Sequence, residues 1–259
     1  MYIAIDARMY GTKNRGIGRY LMKLIEGLEE IVPSPPTPLP TGEGGRRPGE
    51  GHEFTIFLRK ENFDEYQPKN PNFKKAVWDA PWYGWREQMQ FKTLNAVNRE
   101  LTTENCLYHF PHWNVPLFFN RPFVVTIHDL ELFSSNRTRE NSTRGRLTYW
   151  LKFQAFKIIF RHAVLASHAI IVPSNVVREQ LLDKYPQVRK KVQVIYEAPA
   201  LVNSTQTIVH SKIKTIDYQL TTNDFVLYVG AAYPHKNLPR LLEAWKLVHQ
   251  ALPDYKLVL

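Results

Sequence analysis

Short runs rich in Val, Ile, Leu and Phe alternate with longer amphipathic stretches along most of the chain, and this alternation constrains the fold more than any other feature. Apolar pulses fall at residues 2–7, at Phe54, Ile56 and Leu58, and at residues 105–110, 123–127, 169–172, 192–196, 225–229 and 255–259. Helical periodicity occupies residues 18–31, 85–101, 144–165, 175–184 and 238–252. The first of these helices sets Tyr20, Leu21, Leu24, Ile25 and Leu28 on one side. Strands alternating with helices predict an α/β fold whose mainly parallel, Rossmann-like sheet is covered on both faces.

One segment breaks the pattern. PSPPTPLPTGEGGRRPGEGHE, residues 33–53, is dense in proline and glycine, which neither hold a helix nor pack a strand. It reads as a solvated insertion in a helix-to-strand connection, tolerable because loop-closure entropy grows only with the logarithm of length. Residues 200–223 are polar, rich in Thr and Lys, and weakly patterned. The expected organisation is therefore a first domain over residues 1–199, a connection over 200–223, and a second domain starting at 224–259.

Hydrophobic residues make up 44% and charged residues 22% of the 259, the balance of a packed globular chain. Lys and Arg exceed Asp and Glu by 34 to 24, a net charge of +10 that favours anionic partners. No nucleic-acid reading helix or stacking motif accompanies that charge, so nucleic acid is not an expected partner. The one cysteine, Cys106, excludes an internal disulfide and a cysteine-built zinc site, and suits a reducing compartment. The first residues enter a strand pattern directly and no apolar run spans a bilayer. A cytoplasmic protein, with peripheral contact at the inner face of the membrane, is the expectation.

Four stretches carry residues able to do chemistry. In GTKNRGIGRY, Gly16 and Gly18 stand between the first strand and helix, where backbone N–H groups can approach a phosphate. Leu21 occupies the place of a third fingerprint glycine, and Arg59 and Lys60 stand where a ribose-binding acid belongs, which disfavours a dinucleotide. In VVTIHDLELF, His128 and Asp129 follow a strand at the carboxyl edge, where a histidine can bind a hydroxyl or manage a proton. YHFPHWNVP sets His109, His112, Trp113 and Asn114 at the end of another strand, a composition suited to a carbohydrate pocket. His109 and His112 lack a third ligand at helical spacing, so no metal site is expected. In AAYPHKN, Lys236 precedes the last helix beside His235 and can neutralise a leaving diphosphate. No Asp-x-Asp pair occurs, so no metal or other cofactor is expected.

A fifth stretch, GRLTYWLKFQAFKIIFRHAVL, puts Lys157 and Arg161 on one helical face among Trp150, Phe153, Phe156 and Phe160. It reads either as a core helix with a solvated basic edge or as a helix lying on an anionic membrane.

Taken in order, IDARMYGTKNRGIGRYLMKLIEGL, VVTIHDLELF, AIIVPSNVVREQLL and FVLYVGAAYPHKNLPRLLEAW resemble the family 4 (group 1) retaining glycosyltransferases of the GT-B fold, in their mannosyltransferase-like branch. The resemblance implies an acceptor-side first domain and a donor-binding second domain. It implies transfer of a sugar, mannose or similar, from a nucleotide-diphosphate sugar to a saccharide or lipid-linked acceptor, with retention and without a metal. By position, Gly16 and Gly18 would face the donor diphosphate, His128 the transferred sugar, and Lys236 the diphosphate from the second domain. His109, His112, Trp113, Asn114 and Asp129 would line the sugar pocket. Two departures accompany the likeness: Ala231 stands after Gly230 where the family often has arginine, and no Glu-x7-Glu element follows. A chain truncated within its second domain, with weak or absent transfer of its own, is the resulting expectation. The alternative expectation is a non-catalytic acceptor-binding or assembly module derived from such an enzyme.

Overall fold

The computed structural model describes residues 1–34, 51–82, 84, 87–88, 105–133, 146–197, 214–215, 218–219, 225–230, 232 and 236–259. The helix expected at 85–101 falls almost entirely outside these residues, as does most of the 33–53 insertion. The chain divides into a unit of Met1–Glu131 with Arg146–Glu197 and a second unit containing Ala198–Leu259.

Seven parallel strands form the first unit: β1 (Tyr2–Asp6), β2 (Glu53–Leu58), β3 (Phe73–Val77), β4 (Cys106–Phe110), β5 (Phe123–Thr126), β6 (Ala169–Val172) and β7 (Val192–Val194). Their order is β3-β2-β1-β4-β5-β6-β7, the Rossmann-like arrangement that the alternating pattern predicts. Burial on both faces explains the unbroken apolar runs. In β2 every residue from Phe54 to Leu58 is buried. One face holds Ile5, Ile56 and Leu58 against Leu21 and Ile25 of helix α1 (Arg15–Ile31). Elsewhere Phe110, Phe119 and Phe123 meet edge to face at 5.1–5.8 Å. Phe160, from helix α2 (Arg146–Ala166), is likewise buried.

β3 is absent from the sequence reading. Lys74 and Lys75 interrupt its apolar pattern, which is what an edge strand can carry. Lys74 pairs with Glu53 at 3.1 Å, and Lys75 turns back to donate to the carbonyls of Phe63 and Tyr66. Phe73 stacks on Phe54 of β2 at 4.3 Å.

Several polar side chains close the helix ends. Asn70, buried, donates to the carbonyls of Glu29 and Val32 at the end of α1. Lys191 donates to the carbonyls of Leu165, in the last turn of α2, and Ser167, just beyond it, and burial lowers its pKa. Ser174 caps helix α3 (Asn175–Lys184) by accepting from Val177 N, as its place before the helix predicts.

In the second unit, β8 (Lys214–Thr215) and β9 (Tyr218–Gln219) make a short antiparallel pair within the segment expected to be a plain connection. Beyond it, β10 (Phe225–Leu227) pairs in parallel with β11 (Lys256–Val258) across helix α4 (Leu238–Ala251), a βαβ piece. Val226, Leu227 and Leu247 stay exposed.

Gly16 and Gly18 lie inside the first turn of α1 rather than in the loop before it. Their environments differ. A Cβ on Gly18 would collide with the carbonyl oxygen of Gly11 and approach that of Met9 to 2.8 Å, whereas at Gly16 nothing lies within 4 Å. Replacing Gly18 by Ala is therefore expected to cost about 1–3 kcal/mol through overpacking. Replacing Gly16 by Ala is expected to stabilise by about 0.5–1 kcal/mol through helix propensity. Urea denaturation of the two variants checks this pair, and equal effects of the same sign would contradict it.

Candidate active site

In a doubly wound sheet a crevice opens beyond the carboxyl ends of the strands where the strand order reverses. Here that point lies between β1 and β4. Residues 7–14 leave β1 and residues 111–114 leave β4. Asp6, Arg8, Met9, Ile17, His112 and Asn114 are among the residues lining a small cavity between them.

The loop after β1 is held by its own backbone chemistry. Gly11 has φ +102°, which favours glycine, and a Cβ there would strike the Glu65 carboxylate. Arg15 opens α1 at φ +54°, a conformation costing about 1–3 kcal/mol in a residue with a side chain. Buried Asn62 fixes the loop by donating to the carbonyls of Arg8 and Tyr10 at 3.1 and 3.0 Å.

Arg8 is 1% exposed, and its charge is compensated on every side. Its Nε and Nη2 donate to the two Asp6 oxygens at 2.8 and 2.7 Å, and Nη2 also donates to Glu87 Oε1 at 2.6 Å. Nη1 reaches the Ala80 carbonyl, and the guanidinium plane lies 3.6 Å from the centre of the Trp78 ring. Burial opposes its charge, yet the two carboxylates outweigh that and raise its pKa. Burial also raises the pKa of Glu87, against the opposing pull of Arg8 and Asn114.

Glu87 passes the network on to β4. Its Oε2 accepts from Asn114 Nδ2 at 2.8 Å, which turns Asn114 Oδ1 away from the carboxylate. That oxygen is buried and has no hydrogen-bond partner. Asn114, with its unpaired buried amide oxygen, and the partly exposed Asp6 carboxylate are both among the residues lining the crevice, and both supply acceptors suited to hydroxyl donors.

A second cluster forms where β5 ends. His128 Nε2 donates to the Pro111 carbonyl at 3.0 Å, and Nδ1 lies 3.0 Å from Glu197 Oε1. The Tyr20 ring stands edge-on to His128 at 4.8 Å, and Tyr20 Oη shares a 3.4 Å hydrogen bond with Thr126 Oγ1. Thr126 Oγ1 also meets His109 Nε2 at 2.9 Å. Burial, with the nearby His128, lowers the pKa of His109 to about 4 and of His112 to about 3. Both imidazoles are therefore neutral hydrogen-bonding groups near neutral pH.

The structure thus brings His109, His112, Asn114 and His128 to one sheet edge. Trp113 packs between His112 and Phe156, each ring 4.7 Å away. Asp129 is exposed and accepts from Glu131 N at 3.0 Å, closing its own turn. Lys236 lies in the second unit, exposed, just before Asn237 and α4. His235 falls outside the described residues. Among the described residues, no three His, Cys, Asp or Glu side chains gather as a metal-binding group.

Asp6, Arg8, Glu87, Thr126 and Glu197 do not feature in the sequence reading, and Tyr20 features there only on the apolar side of the first helix. An Asp and an Arg two apart, directly closing a buried strand, are the signal that could have revealed the first pair. Glu197, just beyond the last strand of the sheet, sits where carboxyl-edge ligands gather.

The chain is thus an α/β protein of Rossmann-like fold with a polar crevice at the switch point of its sheet, the place where ligands bind in such folds. The model of Glycosyltransferase Family 4 matches residues 46–198, more than half of the chain, and the chain belongs to that family. No curated protein matches it.

Arg8→Met would leave the buried Glu87 carboxylate and the partly exposed Asp6 carboxylate without their shared cation and is expected to cost about 3–5 kcal/mol in urea denaturation. Arg8→Lys should recover little, because the fork and the stacking on Trp78 are both lost. Stability should also fall as pH drops from 6.5 towards about 4, since the unfolded chain takes up protons that folded His109 and His112 refuse. His112→Gln should flatten that fall relative to wild type. Identical pH slopes for the two proteins would contradict the assignment.

Proposed function

We propose that this glycosyltransferase takes a sugar, mannose or similar, from a nucleotide-diphosphate sugar and passes it to a saccharide or lipid-linked acceptor with retention of configuration. The observation that carries the proposal is the crevice at the β1/β4 switch point. There the α1 N-terminus, the acceptor oxygens of Asp6 and Asn114, and His128 share one sheet edge. An anionic diphosphate suits the first turn of a 17-residue helix, an interaction of about 0.3–1 kcal/mol.

The roles divide by chemistry. Gly16, with open space where a Cβ would stand, lets the backbone approach the diphosphate. Gly18 keeps that turn tight against residues 9–11. Lys236, from the second unit, adds positive charge for the leaving group, as the sequence resemblance implies. His128, with Nε2 held by the Pro111 carbonyl, would exchange its Nδ1 contact with the exposed Glu197 carboxylate for a hydroxyl of the transferred sugar. Asn114 and His112 meet sugar hydroxyls in the crevice, with His109 and Trp113 behind them and Asp129 at its outer loop. The sequence has no Asp-x-Asp pair to hold a metal on the diphosphate, so its counter-charge is assigned to the protein. Among the described residues, no helix is long and apolar enough to cross a membrane. We place the protein in the cytoplasm, with peripheral contact at the inner face of the membrane where lipid-linked acceptors are presented.

The test is incubation with labelled GDP- and UDP-sugars and with oligosaccharide or lipid-linked acceptors. Donor binding is read by ligand-observed NMR and transfer by product analysis. Retained anomeric configuration is expected. His128→Ala is expected to lower transfer about tenfold to a hundredfold, the scale of one hydrogen bond to a group developing charge. Gly16→Ala should weaken donor binding while raising Tm. Absence of binding to every nucleotide sugar tried would sink the proposal.

A further inference from the structure

Helix α2 buries one face and leaves the opposite one bare, although both are apolar. Phe156, Phe160, Ala163 and Val164 face the core. On the other side Leu151, Ile158 and Leu165 recur every seventh residue, which stacks them into one stripe along the helix. Leu151 is 54% and Ile158 58% exposed, and neighbouring Trp150 is 55% exposed. Leu117 joins Ile158 and Leu165 in a shallow groove, and Phe118, next in the chain, is 65% exposed.

Charge singles out the occupant. From Arg146 to Ala166 the helix holds Arg146, Lys152, Lys157 and Arg161 and no acidic residue. Lys152, Lys157 and Arg161 are exposed and flank the apolar stripe. A stripe of Leu and Ile with Trp at its border and cations along both sides matches a helix lying in the interface of an anionic bilayer. Nucleic acid would satisfy the cations and leave the stripe in water. A soluble protein partner gives no reason for the complete absence of acids.

We infer that the exposed face of α2, with Phe118 beside it, is the surface by which this protein rests on anionic lipid. This names the surface for the membrane contact proposed above. It stands on the chemistry of α2, so its failure would leave the transfer reaction untouched, and failure of transfer would leave it untouched.

Co-sedimentation of the whole chain with vesicles of phosphatidylcholine alone, or mixed with phosphatidylglycerol, tests it without any sugar donor. Binding to the mixed vesicles that weakens as salt rises is expected. Lys152→Gln and Arg161→Gln should each weaken it about fivefold, from about 1 kcal/mol per charge near an anionic surface. Ile158→Glu should abolish it. All three positions are exposed, so unchanged thermal unfolding is the accompanying control. Equal binding to both vesicle types, or Ile158→Glu binding like wild type, would overturn the inference. So would a wild-type dimer that ignores vesicles and that Ile158→Glu splits into monomers.

Discussion

A guanidinium withdrawn from water must find its counter-charges within the protein, and the crevice of this fold is built around that requirement. Arg8 sits just beyond the carboxyl end of β1 with Asp6 on one side and Glu87 on the other. Satisfying it fixes the rotamers of both acids, and through Glu87 it fixes the amide of Asn114. Three distant pieces of chain are thereby held in register by one side chain. Packed hydrophobic residues in place of the arginine and both acids together could fill the same volume with less electrostatic cost, because buried ion pairs seldom add net stability. What such residues could not do is hold the Asn114 amide by its Nδ2 and leave its oxygen unpaired. The network is best understood as orientation obtained at the expense of stability.

The same edge separates its histidines by environment. His109 and His112 are buried deeply enough to stay neutral, and can serve only as hydrogen-bonding walls. His128 lies between a carbonyl, which can only accept, and the carboxylate of Glu197. Its ring is thus fixed at both nitrogens, with the Glu197 contact becoming an ion pair whenever the imidazole is protonated. Three histidines of similar sequence context therefore differ in what they can contribute. Of the three, His128 is the one that faces the Glu197 carboxylate at 3.0 Å.

How much of this was legible in the sequence depends on the range of the interaction. The parallel sheet was legible, because burial on both faces writes unbroken apolar runs into single strands such as residues 54–58. The cap at Ser174 was legible too, being local. β3 was hidden by Lys74 and Lys75, whose ammonium groups turn back to carbonyls and a carboxylate around an edge strand. The glycines were visible but their duties were not: backbone carbonyls seven to nine residues upstream decide that Gly18 is a packing residue while Gly16 stands open. Arg8 and Glu87 lie 79 residues apart, and His128 and Glu197 lie 69 apart. Nothing in a local pattern couples such pairs, so the residues that position the site were the least legible.

Helix α2 shows the converse case, in which a pattern is legible but ambiguous. A helix apolar on two sides satisfies equally well the expectations for a core helix and for one at a lipid interface. Periodicity cannot separate the two, because the buried aromatic face and the exposed aliphatic stripe both repeat at helical spacing. Exposure separates them. Once Phe156 and Phe160 account for the core contact, Leu151 and Ile158 remain as apolar area that the sheet does not need. Leaving such area in water costs free energy in proportion to its extent, and an acid-free border of cations lowers that cost only beside a negative surface. The two apolar faces of α2 thus have separate physical reasons, one inside the fold and one outside it.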